Sequence, residues 1–71
     1  MNIACTTAEA ATRVTGVLVG YGLSADQGFF QTGPVENDQN TYIRIGIRLS
    51  EKKLAAIRML VRRINGASIQ T

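Results

Sequence analysis

Residues 41–66, TYIRIGIRLSEKKLAAIRMLVRRING, change their hydrophobic period midway, and that change decides the fold. Over residues 41–49, Ile43, Ile45, Ile47 and Leu49 alternate with Tyr42, Arg44, Gly46 and Arg48. A period of two sends the aliphatic set to one face of a strand and the polar set to the other. Ser50 then offers a side-chain oxygen to the first free amides of a helix, and Glu51 sits where the helix dipole favours an acid. Leu54, Ile57, Leu60, Val61 and Ile64 recur at helical spacing. Arg58, Arg62 and Arg63 lie toward the negative end, and Gly66 is placed for a left-handed residue past the last turn, where the helix is expected to stop. A strand and a helix with matching aliphatic faces pack on each other, which is the basic layer of an α+β domain.

The chain upstream repeats this logic. Residues 1–6 read as a short strand with Ile3 and Cys5 inward. Thr6-Thr7-Ala8-Glu9 matches a capping box, in which Thr6 caps the helix and Glu9 reaches back. Ala10, Val14, Val17, Leu18 and Tyr21 follow on one face of this first helix, which Gly20 and Gly22 end. Gly16 lies inside it at a cost of about 1 kcal/mol against alanine, which points to close packing on the sheet or a second helix. Residues 23–32 are the second strand, with two registers open: Ala25, Gln27 and Phe29 on one face, or Ser24, Asp26, Gly28 and Phe30. Gly28 ahead of two phenylalanines points to a bulge that changes the register midway. Residues 33–40, with Pro34, Glu36 and Asp38, read as a polar hairpin loop, and residues 67–71 as a last strand with Ile69 facing the core. The order is βαββαβ, and the expected fold is a ferredoxin-like sandwich: a four-stranded antiparallel sheet with two helices on one face. Right-handed crossovers put the first and third strands in the centre and the second and fourth at the edges, where two copies can join.

Seventy-one residues make one domain, and a domain this small buries only about 60% of its unfolded surface, so oligomerisation is the expected addition to its core. Cys5 is the single cysteine and there is no histidine, so neither a disulfide framework nor a metal, haem or iron–sulfur cofactor is expected. No apolar run approaches the roughly 20 residues of a membrane span, and the first residues carry no leader pattern. The expectation is a soluble cytoplasmic protein without a membrane partner. Seven of the eight basic residues fall between Arg44 and Arg63 with only Glu51 against them, whereas residues 1–40 hold Arg13 against Glu9, Asp26, Glu36 and Asp38. Such a split attracts anionic partners or lets copies of one chain attract each other.

The element order and length, together with Arg13-Val14-Thr15-Gly16-Val17-Leu18-Val19-Gly20-Tyr21-Gly22-Leu23, resemble the ACT domain, the regulatory module that binds amino acids in biosynthetic enzymes. The likeness is to the form found in small regulatory subunits of acetolactate synthase, whose first helix carries a Val-x-Gly-Leu core and ends in glycine before strand two. That family usually has a proline and a glycine entering the helix, where backbone groups contact the effector; Thr6, Thr7 and Ala8 occupy the turn here. The resemblance implies a non-catalytic dimer or tetramer with an amino-acid or small anionic ligand at a subunit interface, near Thr6 and Thr7 of helix one and Asp26 of strand two.

Two constellations of the residues themselves stand beside it. On the open face, Arg44 and Arg48 flank Gly46 in the row that starts with Tyr42, an arrangement that admits an anionic ligand or a second backbone with Tyr42 able to stack. The bland alternatives are a solvated face with arginines paired to acids such as Asp26, and a contact between copies. On the second helix, Lys52, Lys53, Arg58, Arg62 and Arg63 offer a surface to an anionic partner, a host or enzyme protein included, or simply meet water. Tyr42 and one phenylalanine are too few aromatics for RNA recognition on a sheet, so nucleic acid rests on charge alone. With no nucleophile beside a base, and with the glycines of GVLVGYG inside a helix, no enzyme is expected. The leading expectation is a non-catalytic homo-oligomeric regulatory or small-ligand-binding domain. The competing one is a small phage or mobile-element inhibitor that blocks a host protein or sequesters an anionic nucleotide.

Overall fold

A computed structural model describes residues 1–33 and 40–70. The elements run β1 (Asn2–Cys5), α1 (Ala8–Gly20), β2 (Ser24–Ala25), β3 (Gly28–Thr32), β4 (Thr41–Ile45), α2 (Glu51–Arg62) and β5 (Ala67–Ile69). The protein is α+β, and its described residues form two helices and a five-stranded sheet in the order β2-β3-β4-β1-β5. β1 lies between β4 and β5, antiparallel to both, with Ile3 opposite Ile43 and Ile69. β4 lies between β1 and β3, so the strands expected in the centre are there. The sheet is mixed rather than purely antiparallel, because β2 pairs parallel with β3.

That fifth strand comes from the stretch expected to form one strand over residues 23–32. Asp26 at φ 66° and Gly28 at φ 150° turn the chain sharply between Ala25 and Phe29, and Gln27 donates its N–H to the Ser24 carbonyl at 3.0 Å. Aspartate tolerates the left-handed region better than most residues. The irregularity signalled by Gly28 is therefore a tight turn that divides the strand. Beyond it the register is set: Phe29 is buried opposite Ile45, and Phe30 is exposed opposite Arg44.

The strand expected over residues 41–49 stops at Ile45. Its last bonds on the β3 side run from the Gly46 N–H to the Gly28 carbonyl, 2.9 Å, and the turn at Gly28 leaves no straight backbone to continue them. Ile43 and Ile45 are buried as the alternation requires, Leu49 is half-buried, and Ile47 is exposed.

α1 starts one residue later than the capping box implies. The Thr7 hydroxyl accepts from the Ala10 N–H at 3.0 Å, and Glu9 turns away to pair with Arg13. Thr6 instead donates its N–H to the Gly66 carbonyl at 2.7 Å. At the other end, Leu23 N–H to Leu18 carbonyl and Gly22 N–H to Val19 carbonyl, both 3.0 Å, form the paired closure that satisfies the last free carbonyls. Gly16 faces water with no atom near enough to exclude a side chain, so the expected close packing is absent. Gly16→Ala is accordingly expected to raise stability by about 0.5–1 kcal/mol, read as a higher urea midpoint with an unchanged slope.

In α2 the Ser50 hydroxyl accepts from the Lys53 N–H at 3.2 Å, as expected, but the helix ends at Arg62 rather than reaching Gly66. The closing bonds tighten to three-residue spacing, Arg63 N–H to Leu60 carbonyl and Ile64 N–H to Val61 carbonyl. Ile57 and Val61 from α2 meet Ala10, Ala11, Val14 and Leu18 from α1 over Ile3, Cys5, Phe29, Ile43 and Ile45, one core on one face of the sheet. Among the described residues the other face has no helix. The loop expected over residues 33–40 falls, apart from Gly33 and Asn40, outside the described residues, as does Thr71 of the last expected strand. Among the described residues no helix is long and apolar enough to cross a membrane.

Candidate functional site

The start of α1 and the turn from α2 into β5 enclose a hollow of about 440 Å³, lined by Thr6, Thr7, Glu9, Ala10, Arg13, Asn65 and Gly66. Its floor is local structure: the Thr7 hydroxyl caps the helix, and the Gly66 carbonyl accepts from Thr6 through both the backbone N–H and the hydroxyl, the latter at 3.3 Å. Both threonine oxygens thus hold the fold. The charged groups above them are freer. Arg13 Nη2 donates to Glu9 Oε1 at 2.8 Å, with the two side chains 63% and 75% exposed. An exposed pair one helical turn apart contributes only about 0.3–0.5 kcal/mol, so exchanging it for other partners costs little.

On the open face, the register puts Phe30, Arg44 and Asn2 in one cross-strand row and Thr32, Tyr42, Ala4 and Ser68 in the next. The Arg44 guanidinium lies 5.3 Å from the Phe30 ring centroid, within the range of cation–π attraction. Gly46 lets the ring settle, since a Cβ there would collide with it. Asn2, Phe30, Thr32, Tyr42, Arg44 and Gln70 border a shallow depression of about 410 Å³. The Asn40 side-chain amide lies 3.5 Å from the Tyr42 hydroxyl.

α2 holds Lys53 apart from its three arginines. The Lys53 ammonium donates to the Tyr21 carbonyl at 3.4 Å, placing a cation at the negative end of α1. Arg58 and Arg62 line a groove of about 660 Å³ beside β5, with Met1, Leu54, Ala67, Ser68 and Ile69. Arg63 is the C-terminal cap residue and borders, together with Arg58, Arg62, Ala55 and Met59, a second shallow surface, so these three arginines share one side of α2.

The expected ligand residues therefore do not form one site. Thr6 and Thr7 follow the Cys5 end of β1, whereas Asp26 lies at the opposite end of the sheet, where Phe29 faces Ile45. No ion pair joins Asp26 to Arg44 or Arg48 among the described residues. Tyr42 and Arg44 share the open face, and Arg48 sits past the end of β4, exposed. Sequence reasoning missed Arg13, Asn65 and Phe30 as site residues. The Glu9–Arg13 spacing of four was a readable signal; the approach of Asn65 to α1 was not. Cys5 is fully buried, and that burial pushes its thiol above the ordinary value, which keeps it protonated and inert.

No protein-family model, curated protein or solved structure matches the chain.

Proposed function

We propose that the chain is a non-catalytic, homo-oligomeric domain of the ferredoxin-like βαββαβ plan, the short β2 being a local addition to it, and that it binds a free amino acid at the first turn of α1. The observation that carries this reading is the hollow in which one carboxylate, Glu9, and one guanidinium, Arg13, stand side by side over polar walls from Thr6, Thr7 and Asn65. An amino acid presents an ammonium and a carboxylate at matching separation, and each finds its opposite charge there once the weak exposed pair opens. Binding stabilises one subunit arrangement, which is how a domain without chemistry regulates. The test is a thermal-shift panel of the free amino acids. At least one is expected to raise the melting temperature of the wild type and not of Arg13→Gln; a panel that raises it in no case refutes the reading.

A specific observation favours a second reading, the small inhibitor that sequesters an anionic nucleotide. Arg44 stacked on Phe30 beside Tyr42 gives an open-face cation and aromatic surface of the right chemistry. Nucleotide binding that survives in both Arg44→Ala and Arg48→Ala would remove that site.

A further inference from the structure

We infer that the groove between α2 and β5 is a docking site for an extended acidic peptide segment, which adds as a strand to the free edge of β5. This site lies apart from the hollow at α1 and is independent of what fills it.

β5 is the terminal strand of the sheet, paired with β1 on one side only among the described residues. The Gln70 N–H bonds the Asn2 carbonyl at 2.7 Å and the Thr6 N–H bonds the Gly66 carbonyl at 2.7 Å, so the pairs 2–70, 4–68 and 6–66 face each other through hydrogen bonds. By the alternation of an antiparallel ladder, the N–H and carbonyl of Ile69 and the carbonyl of Ala67 point outward. The Ala67 N–H is taken by the Ile64 carbonyl. One donor and two acceptors thus await an incoming backbone.

The side chains around that edge say which backbone. Among the described residues Arg58 and Arg62 are the charged side chains that line the groove, with no acid beside them, while half-buried Leu54, Ile69 and Met1 give it an apolar floor. Arg58 and Arg62 stand one helical turn apart, about 6 Å along the axis. Alternate side chains of a strand are separated by about 6.6 Å, so two acidic residues at positions i and i+2 meet the two guanidiniums while the residue between them turns to the other side. A second copy is the wrong occupant. Pairing β5 with itself across a two-fold axis continues the sheet with both α2 helices on the same face, and the two Arg58–Arg62 rows then confront each other as like charges.

The probe is a fluorescein-labelled peptide alternating valine and glutamate, titrated into the whole protein and read by fluorescence anisotropy. Saturable binding is expected. Replacing its glutamates by glutamine, or methylating alternate backbone nitrogens so that the ladder cannot form, is expected to weaken it at least about tenfold. Arg58→Glu/Arg62→Glu, at two exposed positions, is expected to lose it with the circular dichroism and melting temperature unchanged. The assignment is overturned if the glutamate peptide does not bind, if the methylated peptide binds as well as the parent, or if the double variant binds it as the wild type does. It is equally overturned if the double variant changes the subunit count in sedimentation, which would make the groove a contact between copies.

Discussion

Ile43→Ala is expected to remove about 2–5 kcal/mol of stability, the usual cost of emptying an aliphatic core position. A chain of 71 residues has about 3.5–10 kcal/mol in total, at about 0.05–0.15 kcal/mol per residue, so this one change takes a large share. Ile43 is fully buried, faces Ile3 on β1 and Gln31 on β3, and lies in the same core as Ile57 and Val61 of α2. Both flanking strands are fixed by ladder bonds and do not close into the space. The informative partner is Ile47→Ala. The two isoleucines occupy equivalent places in the alternation of residues 41–49, yet Ile47 is 48% exposed past the end of β4. Its loss is expected to cost about 0.5 kcal/mol or less. Urea melts of both variants test where the strand ends: equal losses would mean that it continues through Ile47.

Gly66→Val is expected to cost about 3 kcal/mol, from two sources. Gly66 has φ 88°, in the left-handed region, where an L residue pays about 1–2 kcal/mol and a β-branched one more. A Cβ there also meets Thr6 Oγ1 at 3.0 Å and the buried Ala10 Cβ at 3.3 Å, so the turn must lift away from α1. Lifting it strains the 2.7 Å bond from the Thr6 N–H to the Gly66 carbonyl and reshapes the hollow over Glu9 and Arg13. Gly66→Ala separates the terms, since it keeps the backbone strain with a smaller side chain. A Gly66→Val protein as stable as the wild type in urea would contradict the left-handed turn. This contrasts with Gly16, where added bulk meets only water.

What was legible in the sequence follows from the range of each interaction. The Ser50 cap, the inward places of Ile57 and Val61 and the glycines that end α1 depend on neighbours within a turn or two, and those readings match the structure. Leu54 and Leu60, by contrast, are only half-buried, and Ile64 lies past the end of α2. The central places of β1 and β4 follow from the order of elements and the handedness of crossovers. Distant partners were not legible. Ile47 carries the alternation of a strand, but the turn at Gly28, nineteen positions away, removes the backbone it would have paired with. Thr6 matches a capping box, but Gly66 claims it, and the cap passes to Thr7. The same long-range approach brings Asn65 to α1 and makes a hollow from residues that local pattern reads only as a helix start. Asp26 and Thr6, grouped through the resemblance of the whole chain, stand at opposite ends of the sheet because β1 and β3 run the same way while each contributes a different terminus.

Native mass spectrometry of protein purified quickly and without extensive dialysis tests the central claim most directly, since one spectrum gives both the subunit count and any small molecule carried along. A ligand-binding homo-oligomer predicts a dimer or tetramer with added mass in the range of an amino acid per site, reduced in Arg13→Gln. A monomer without added mass, unchanged when free amino acids are supplied, would contradict it.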